Sequence, residues 1–270
     1  MVGTLFFGSA SAEDMDGLMV YASATGVLSI VRNKSGYLIF ATTGGHPNGA
    51  ATGADCTIKS QLAGGPENLV GELLPIDTDI VEYESDDVED RYVSVTFKQG
   101  AINVNGVDVS GICGVGVGFE GSYESVPNSD PEYKESYFKL LRGAYPDSLA
   151  IYKRDGIEPA IESMLPYIKA LDFSWFKDKW MADILGAFVR DYALFLERDG
   201  QLSVAIELLE KLISAAPNSD TARLRLGDVY WNSNQIGQAK DAYQQYLSLI
   251  RSKGRLSSAS KRVEACLNEK

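Results

Sequence analysis

The chain has 270 residues, enough for one or two domains with a sizeable core, and its 37 Asp and Glu against 25 Lys and Arg leave a formal charge of −12. That balance argues against general binding to nucleic acid or to an anionic membrane, because both need a basic face. It suits a cationic partner, and it also serves solubility alone.

The first residues, MVGTLFFGSASAEDMDG, join a short apolar run to a small-x-small step at Ala10-Ser11-Ala12. Residues 1–12 are read as the remnant of an export signal whose beginning lies upstream, which places the mature protein in the periplasm or outside the cell. An ordinary apolar N-terminus is the other reading. No later run reaches the roughly 20 apolar residues of a membrane span, so no integral membrane segment is expected.

Residues 13–126 read as a β domain. Short apolar runs at 18–22, 27–31 and 37–41 predict strands, and the turn at 33–36 makes the last two a hairpin. The Gly-rich stretch 42–54 lacks the Lys and the strand-to-helix setting of a phosphate loop, so it reads as a connection. The single histidine, His46, lies in it without a GxSxG motif or a carboxylate pattern to support catalysis. Strands are expected at 56–62 and 69–74. The segment 80–90 carries Glu82, Glu84, Asp86, Asp87, Glu89 and Asp90 at spacings unlike a calcium loop. It reads as a solvated loop, with a docking patch for a basic partner as the alternative. RYVSVTFK at 91–98 alternates cleanly as a strand. Asn105-Gly106 predicts a two-residue hairpin turn between runs at 102–104 and 107–109. The stretch 113–123, CGVGVGFEGSY, predicts a last strand with Val115, Val117 and Phe119 on one face and Gly114, Gly116 and Gly118 on the other. A face bare of side chains admits a packed element or a sharp bend, or else a ligand or a partner loop.

The cysteines are Cys56, Cys113 and Cys266. In an exported chain Cys56 and Cys113 are expected to pair, since both lie in the β half, with Cys266 left over; in a cytosolic chain all three stay reduced. No CxxC or Cys/His cluster suggests a metal, no nucleotide motif suggests a cofactor, and no catalytic residue is assigned.

The polar stretch 125–131 marks the expected boundary to a helical domain, 131–270. A helix is predicted at 132–141, with Pro146 interrupting before 149–153. In 157–171, Ala160, Met164 and Tyr167 occupy packing positions. The segment 172–184, with Trp175, Phe176 and Trp180, reads as an inserted or lengthened helix start. Then a pattern occurs twice: Tyr192, Ala193, Leu196 with Ala205, Leu209, Leu212, and Leu226, Gly227, Tyr230 with Ala239, Tyr243, Tyr246. Ala193 to Gly227, and Ala205 to Ala239, are steps of about 34 residues. A closing helix is expected at 255–267, near a basic patch of Arg251, Lys253, Arg255, Lys261 and Arg262 that either pairs internally or faces solvent.

This pattern resembles the tetratricopeptide repeat over 186–250, and more loosely over 155–171. The resemblance implies helix pairs whose first helices line a concave, protein-binding groove. It places Arg190, Leu194 and Glu197 of one repeat, and Leu224, Asp228, Trp231 and Asn232 of the next, on that groove. The partner-binding set drawn from it is Arg190, Glu197, Leu224, Asp228, Trp231 and Asn232, with Trp231 expected as an exposed anchor. Arg190 matches a basic position of the family's carboxylate clamp, but Leu194 stands where Asn is needed, so a C-terminal-peptide clamp is not expected. In the β half, Cys113-Gly114 and 119–123 resemble the end of exported bacterial lysozyme-inhibitor-like domains. The inhibitors' Ser-Gly-x-Arg-Tyr loop is absent, and no inhibitory residue carries over.

The fold expected is α+β: an N-terminal antiparallel β sandwich or barrel followed by a tetratricopeptide-like helical array. The function expected is binding of another, basic protein in the bacterial envelope, as an inhibitor or immunity protein for a cell-wall hydrolase or toxin. A scaffold or assembly factor of an envelope complex is one alternative. A carboxylate-dependent hydrolase, marked by a cleft with two carboxyl groups, is the other.

Overall fold

The computed structural model describes residues 17–43, 56–65, 67–78, 82–98, 100–114, 117–255 and 261–268. Residues 1–12, His46 and most of the Gly-rich stretch lie outside them, as do Val115 and Gly116. The chain divides into two compact units, Met1–Lys153 and Arg154–Lys270.

The first unit is a barrel. Its strands are β1 (Leu18–Ala22), β2 (Gly26–Asn33), β3 (Gly36–Thr43), β4 (Cys56–Gly65), β5 (Asn68–Glu72), β8 (Tyr92–Lys98), β9 (Ala101–Val107) and β10 (Gly121–Ser125). Each is antiparallel to the next, and β10 returns to pair with β1, Tyr21 opposite Ser125. Between β5 and β8 lies an insertion: β6 (Ile76–Asp77), β7 (Glu82–Tyr83) and a one-turn helix, α1 (Ser85–Val88). Of the two β architectures expected, the barrel is the one formed. Eight strands enclose a width that side chains can fill. Leu28, Ala41 and Ile58 stand side by side in register, as do Leu69, Val95 and Val104, and all are buried.

The outer face of β2 to β4 is buried too. Ser29, Phe40 and Lys59 lie in one row across it. Helix α2 (Pro131–Asp155) covers part of this row. Its Gly143 leaves room for the Phe40 ring, which stands 2.8 Å from where a Cβ would be, and its Asp147 takes the Lys59 ammonium at 2.8 Å. From the insertion, buried Tyr83 donates its hydroxyl to the Thr57 carbonyl, and burial, then the Asp147 charge, push its pKa up.

Three local expectations are corrected. Asn105-Gly106 is not a hairpin turn: β9 runs through it, and the register slips there, with Ser94 opposite Gly106 but Val95 opposite Val104. Asn105 is the extra residue of a bulge. The chain instead reverses between Lys98 and Ala101, where Gly100 takes φ +75°, a left-handed conformation open to glycine at little cost. The described residues of 113–120 form turns and coil rather than a strand, and β10 begins only at Gly121. Phe119 is buried there, and its carbonyl accepts the Tyr123 hydroxyl at 3.0 Å. Finally, Pro146 does not break α2, which continues through it. An interior proline costs about 3 kcal/mol in lost hydrogen bonding and crowding; burial of Tyr137, Leu140 and Leu141 on the same helix offsets it.

The second unit is helical. It contains α3 (Ile157–Ala170), a 3₁₀ turn (Phe173–Lys177), α4 (Lys179–Arg198), α5 (Leu202–Ala215), α6 (Asp220–Asn232), α7 (Ile236–Ser252) and α8 (Lys261–Asn268). Ala160, Met164 and Tyr167 are buried on α3, as expected. The segment before α4 is the inserted turn, in which the Phe173 and Phe176 rings stack at 5.7 Å. The pairs α4–α5 and α6–α7 repeat the same closure: Gly200 and Asn234 both take positive φ, and the next amide returns to the fifth residue back, Gln201 to Leu196 and Gln235 to Tyr230, at 2.8 Å in each case. Only Gly or Asn adopts that conformation readily. Ala193, Ala205 and Ala239 are fully buried where the helices cross. Gly227 is tighter still, since a Cβ there would stand 2.4 Å from Cε1 of Tyr243. Gly227→Ala is expected to cost about 1–3 kcal/mol by overpacking. A melting temperature equal to wild type would contradict so close a crossing.

Candidate functional site on the helix pairs

The residues expected on the groove do not all behave alike. Glu197, near the end of α4, accepts the Asn232 side-chain amide from the next repeat. Its other oxygen lies 3.5 Å from Nη1 of Arg225, which also stands 3.9 Å from Asp228. Asp228 in turn accepts the Tyr243 hydroxyl of α7 at 3.0 Å. Glu197, Asn232 and Asp228 thus meet in one polar cluster that ties α4, α6 and α7 together. Helix geometry explains the meeting, because Arg225, Asp228 and Asn232 fall three and four residues apart and share a face.

Glu197 and Asp228 both lie near the Arg225 guanidinium, at distances beyond a hydrogen bond. Glu197 Oε2 is buried and accepts no hydrogen bond. Buried acceptors are nearly always satisfied, and this one has the Arg225 charge beside it in place of a hydrogen bond.

Leu224 and Trp231 point elsewhere. Both are half-buried and pack against the cluster of Ala239, Tyr243, Tyr246, Ile250 and Val263. Trp231, expected to stand exposed, therefore shields the seam toward the closing helix as well as edging the surface. Its neighbour Tyr230 hydrogen-bonds Glu210. Arg190 is half-buried on α4 and folds over Gly186, its Nη1 3.1 Å from where a Cβ would stand. Sequence reasoning missed Arg225 and Tyr243; the signal available was the i, i+3 spacing of Arg225 and Asp228 beside a repeat tyrosine.

The basic patch near the C-terminus pairs internally in part. Lys253 and Arg255 both contact buried Asp220, the former at 3.2 Å. Burial pulls the Asp220 pKa up, but the Lys253 hydrogen bond and the charges of Lys253 and Arg255 outweigh it and hold the carboxyl below its usual range. The expected closing helix is present as α8, while 256–260 lie outside the described residues.

In the barrel, Cys56 and Cys113 form the expected disulfide, Cα atoms 5.6 Å apart, and Cys266 is not part of a disulfide. Glu82, Glu84, Asp86, Asp87, Glu89 and Asp90 are all exposed, held in place by buried Tyr83 and Val88. Among the described residues no group of three or more His, Cys, Asp or Glu is placed to hold a metal ion. No helix among them is long and apolar enough to cross a membrane.

Residues 196–265 match the tetratricopeptide repeat. The tetratricopeptide match takes in Glu197, Leu224, Asp228, Trp231 and Asn232, and it begins after Arg190. The C-terminal part of the chain is therefore tetratricopeptide-like. Among solved structures, the first tetratricopeptide domain of Spaghetti (RPAP3), bound to an HSP90 peptide, aligns at 14% identity over 45% of this chain and 88% of that one, with a TM-score of 0.34. A MamA protein aligns at 20% identity over 48% and 68%, also with a TM-score of 0.34. A MamA fragment from Desulfovibrio magneticus RS-1 aligns at 16% identity over 48% and 93%, with a TM-score of 0.24. No curated protein matches the chain in sequence.

Proposed function

We propose that the chain is a protein-binding protein of the bacterial envelope whose helix pairs grip a basic polypeptide. Repeats of this type hold partners far more often than they catalyse. The observation that carries the reading is the Glu197 cluster, which sets two carboxylates beside Arg225 at the junction of two repeats. A lysine or arginine from a partner would meet the acidic side of that junction. The Cys56–Cys113 link supports an oxidising compartment, hence export. Together with the charge of −12, these features support a role as inhibitor of, or immunity factor against, a basic cell-wall hydrolase or toxin.

The test is quantitative capture from envelope extract by the full chain and by a Glu197→Gln, Asn232→Ala double variant. A basic polypeptide retained by wild type and reduced about tenfold or more in the variant supports the reading, tenfold being about 1.4 kcal/mol. Equal retention by both, with matched melting temperatures, contradicts it. A set of stoichiometric endogenous partners held by both would favour a scaffold.

A further inference from the structure

The barrel has a second surface that its described elements leave open. On β2 to β4 the outward side chains Ser29, Phe40, Thr57 and Lys59 are buried. On β5 and β8 they are not: Val70 is 39% and Tyr92 46% exposed, among the largest apolar exposures in the chain. Tyr92 stands opposite Glu72 in register and donates its hydroxyl to Glu72 Oε1 at 3.3 Å. Glu72, through its charge and that bond, raises the Tyr92 pKa, and exposed Asp90, two residues before Tyr92 in the chain, adds a smaller push in the same direction. The nearby cation, Arg91, is already engaged by Asp108 and by the Ser110 carbonyl at 2.6 Å. Farther along β8, the bulge at Asn105 organises a polar row: Asn105 donates to Thr96 at 2.7 Å and accepts from Asn103 at 2.7 Å. The barrel is closed, so it offers no free edge in these strands for a partner to extend; contact must be face-on.

We propose that this open face is a docking surface for a lysine- or arginine-bearing patch of a basic protein, with Tyr92 receiving the cation on its ring and Glu72 and Asp90 pairing with it. A cation within about 6 Å of an aromatic centroid is attracted to the ring face. The carboxylates add charge complementarity, while Val70 and the Asn–Thr row supply apolar and fixed polar contact around it. The inference rests on the basic partner argued above, but it assigns that partner a site on the barrel independent of the helix pairs.

The experiment titrates hexa-arginine amide into the isotope-labelled full chain at low salt and follows backbone amide shifts. Saturable shifts centred on Val70, Gly71, Tyr92 and Ser94 are expected. Tyr92→Ala should weaken that binding about three- to tenfold and Tyr92→Phe less than about twofold, as a ring-face contact requires. Tyr92 is exposed, and a melt of each variant confirms its fold. Shifts confined to Glu197 and Asn232, or to 82–90, with Tyr92→Ala binding as wild type, would overturn the barrel face and leave the basic-partner reading standing. No saturable shift anywhere would overturn both.

Discussion

Asp147→Ala is expected to destabilise the barrel unit by about 3–5 kcal/mol, the cost of leaving a buried charge without its partner. Lys59 and Asp147 are 6% and 4% exposed, and the ammonium meets both carboxylate oxygens, at 3.0 and 2.8 Å. The pair itself is no large source of stability, because its attraction is set against the desolvation of two ions. It fixes instead where α2 sits on β4. The expected signature is therefore asymmetric: Asp147→Leu or Lys59→Met alone costs several kcal/mol, whereas both together return to within about 1–2 kcal/mol of wild type. Urea unfolding of the two single variants and the double variant checks this. Small, additive losses would contradict a buried pair.

The second large effect is expected from Cys56→Ser, or from reduction. The link joins residues 57 apart in sequence, and closing such a loop restricts the unfolded chain by about 4 kcal/mol in the chain-entropy model. It also ties down the stretch around Cys113. Among the described residues, the backbone there makes turn-type bonds, Cys113 to Val109 and Val117 to Gly114, both at 3.1 Å, and the Thr43 hydroxyl donates to the Gly118 carbonyl at 3.3 Å before buried Phe119 takes hold. Melting with and without dithiothreitol should show a drop confined to the barrel transition. Identical curves, with free thiols found by mass, would contradict the link.

Much of this architecture was legible in the residues. The 34-residue recurrence of Ala193 at Gly227 and of Ala205 at Ala239 gave the helix pairs, since small residues mark close crossings and the spacing fixes the pairing. The disulfide followed from which cysteines share the β half. What was not legible depended on neighbours. Asn105-Gly106 is a strong turn signal taken alone, yet the pairing of β8 with β9 made it a bulge. Pro146 is a strong stop signal taken alone, yet burial on the same helix carried α2 through it. Glycine alternation in 113–120 imitated a strand, whereas its described residues form bends and coil beside the disulfide and buried Phe119. On the candidate site, charge and register pointed to Glu197, Asp228 and Asn232. They did not reveal that Arg225 links two of them, or that Trp231 turns toward α7 and α8, because both depend on how the pairs stack.

The central claim is that the face carrying the α4–α6 polar cluster holds a polypeptide. Photo-crosslinking tests it most directly, with a photoreactive residue placed at Arg198, exposed next to that cluster, and at Val204, exposed on α5. In the full chain within its native cells, a discrete basic polypeptide joined from 198 and absent from 204 is the predicted result. Equal labelling from both positions, or labelling from 204 alone, would contradict it.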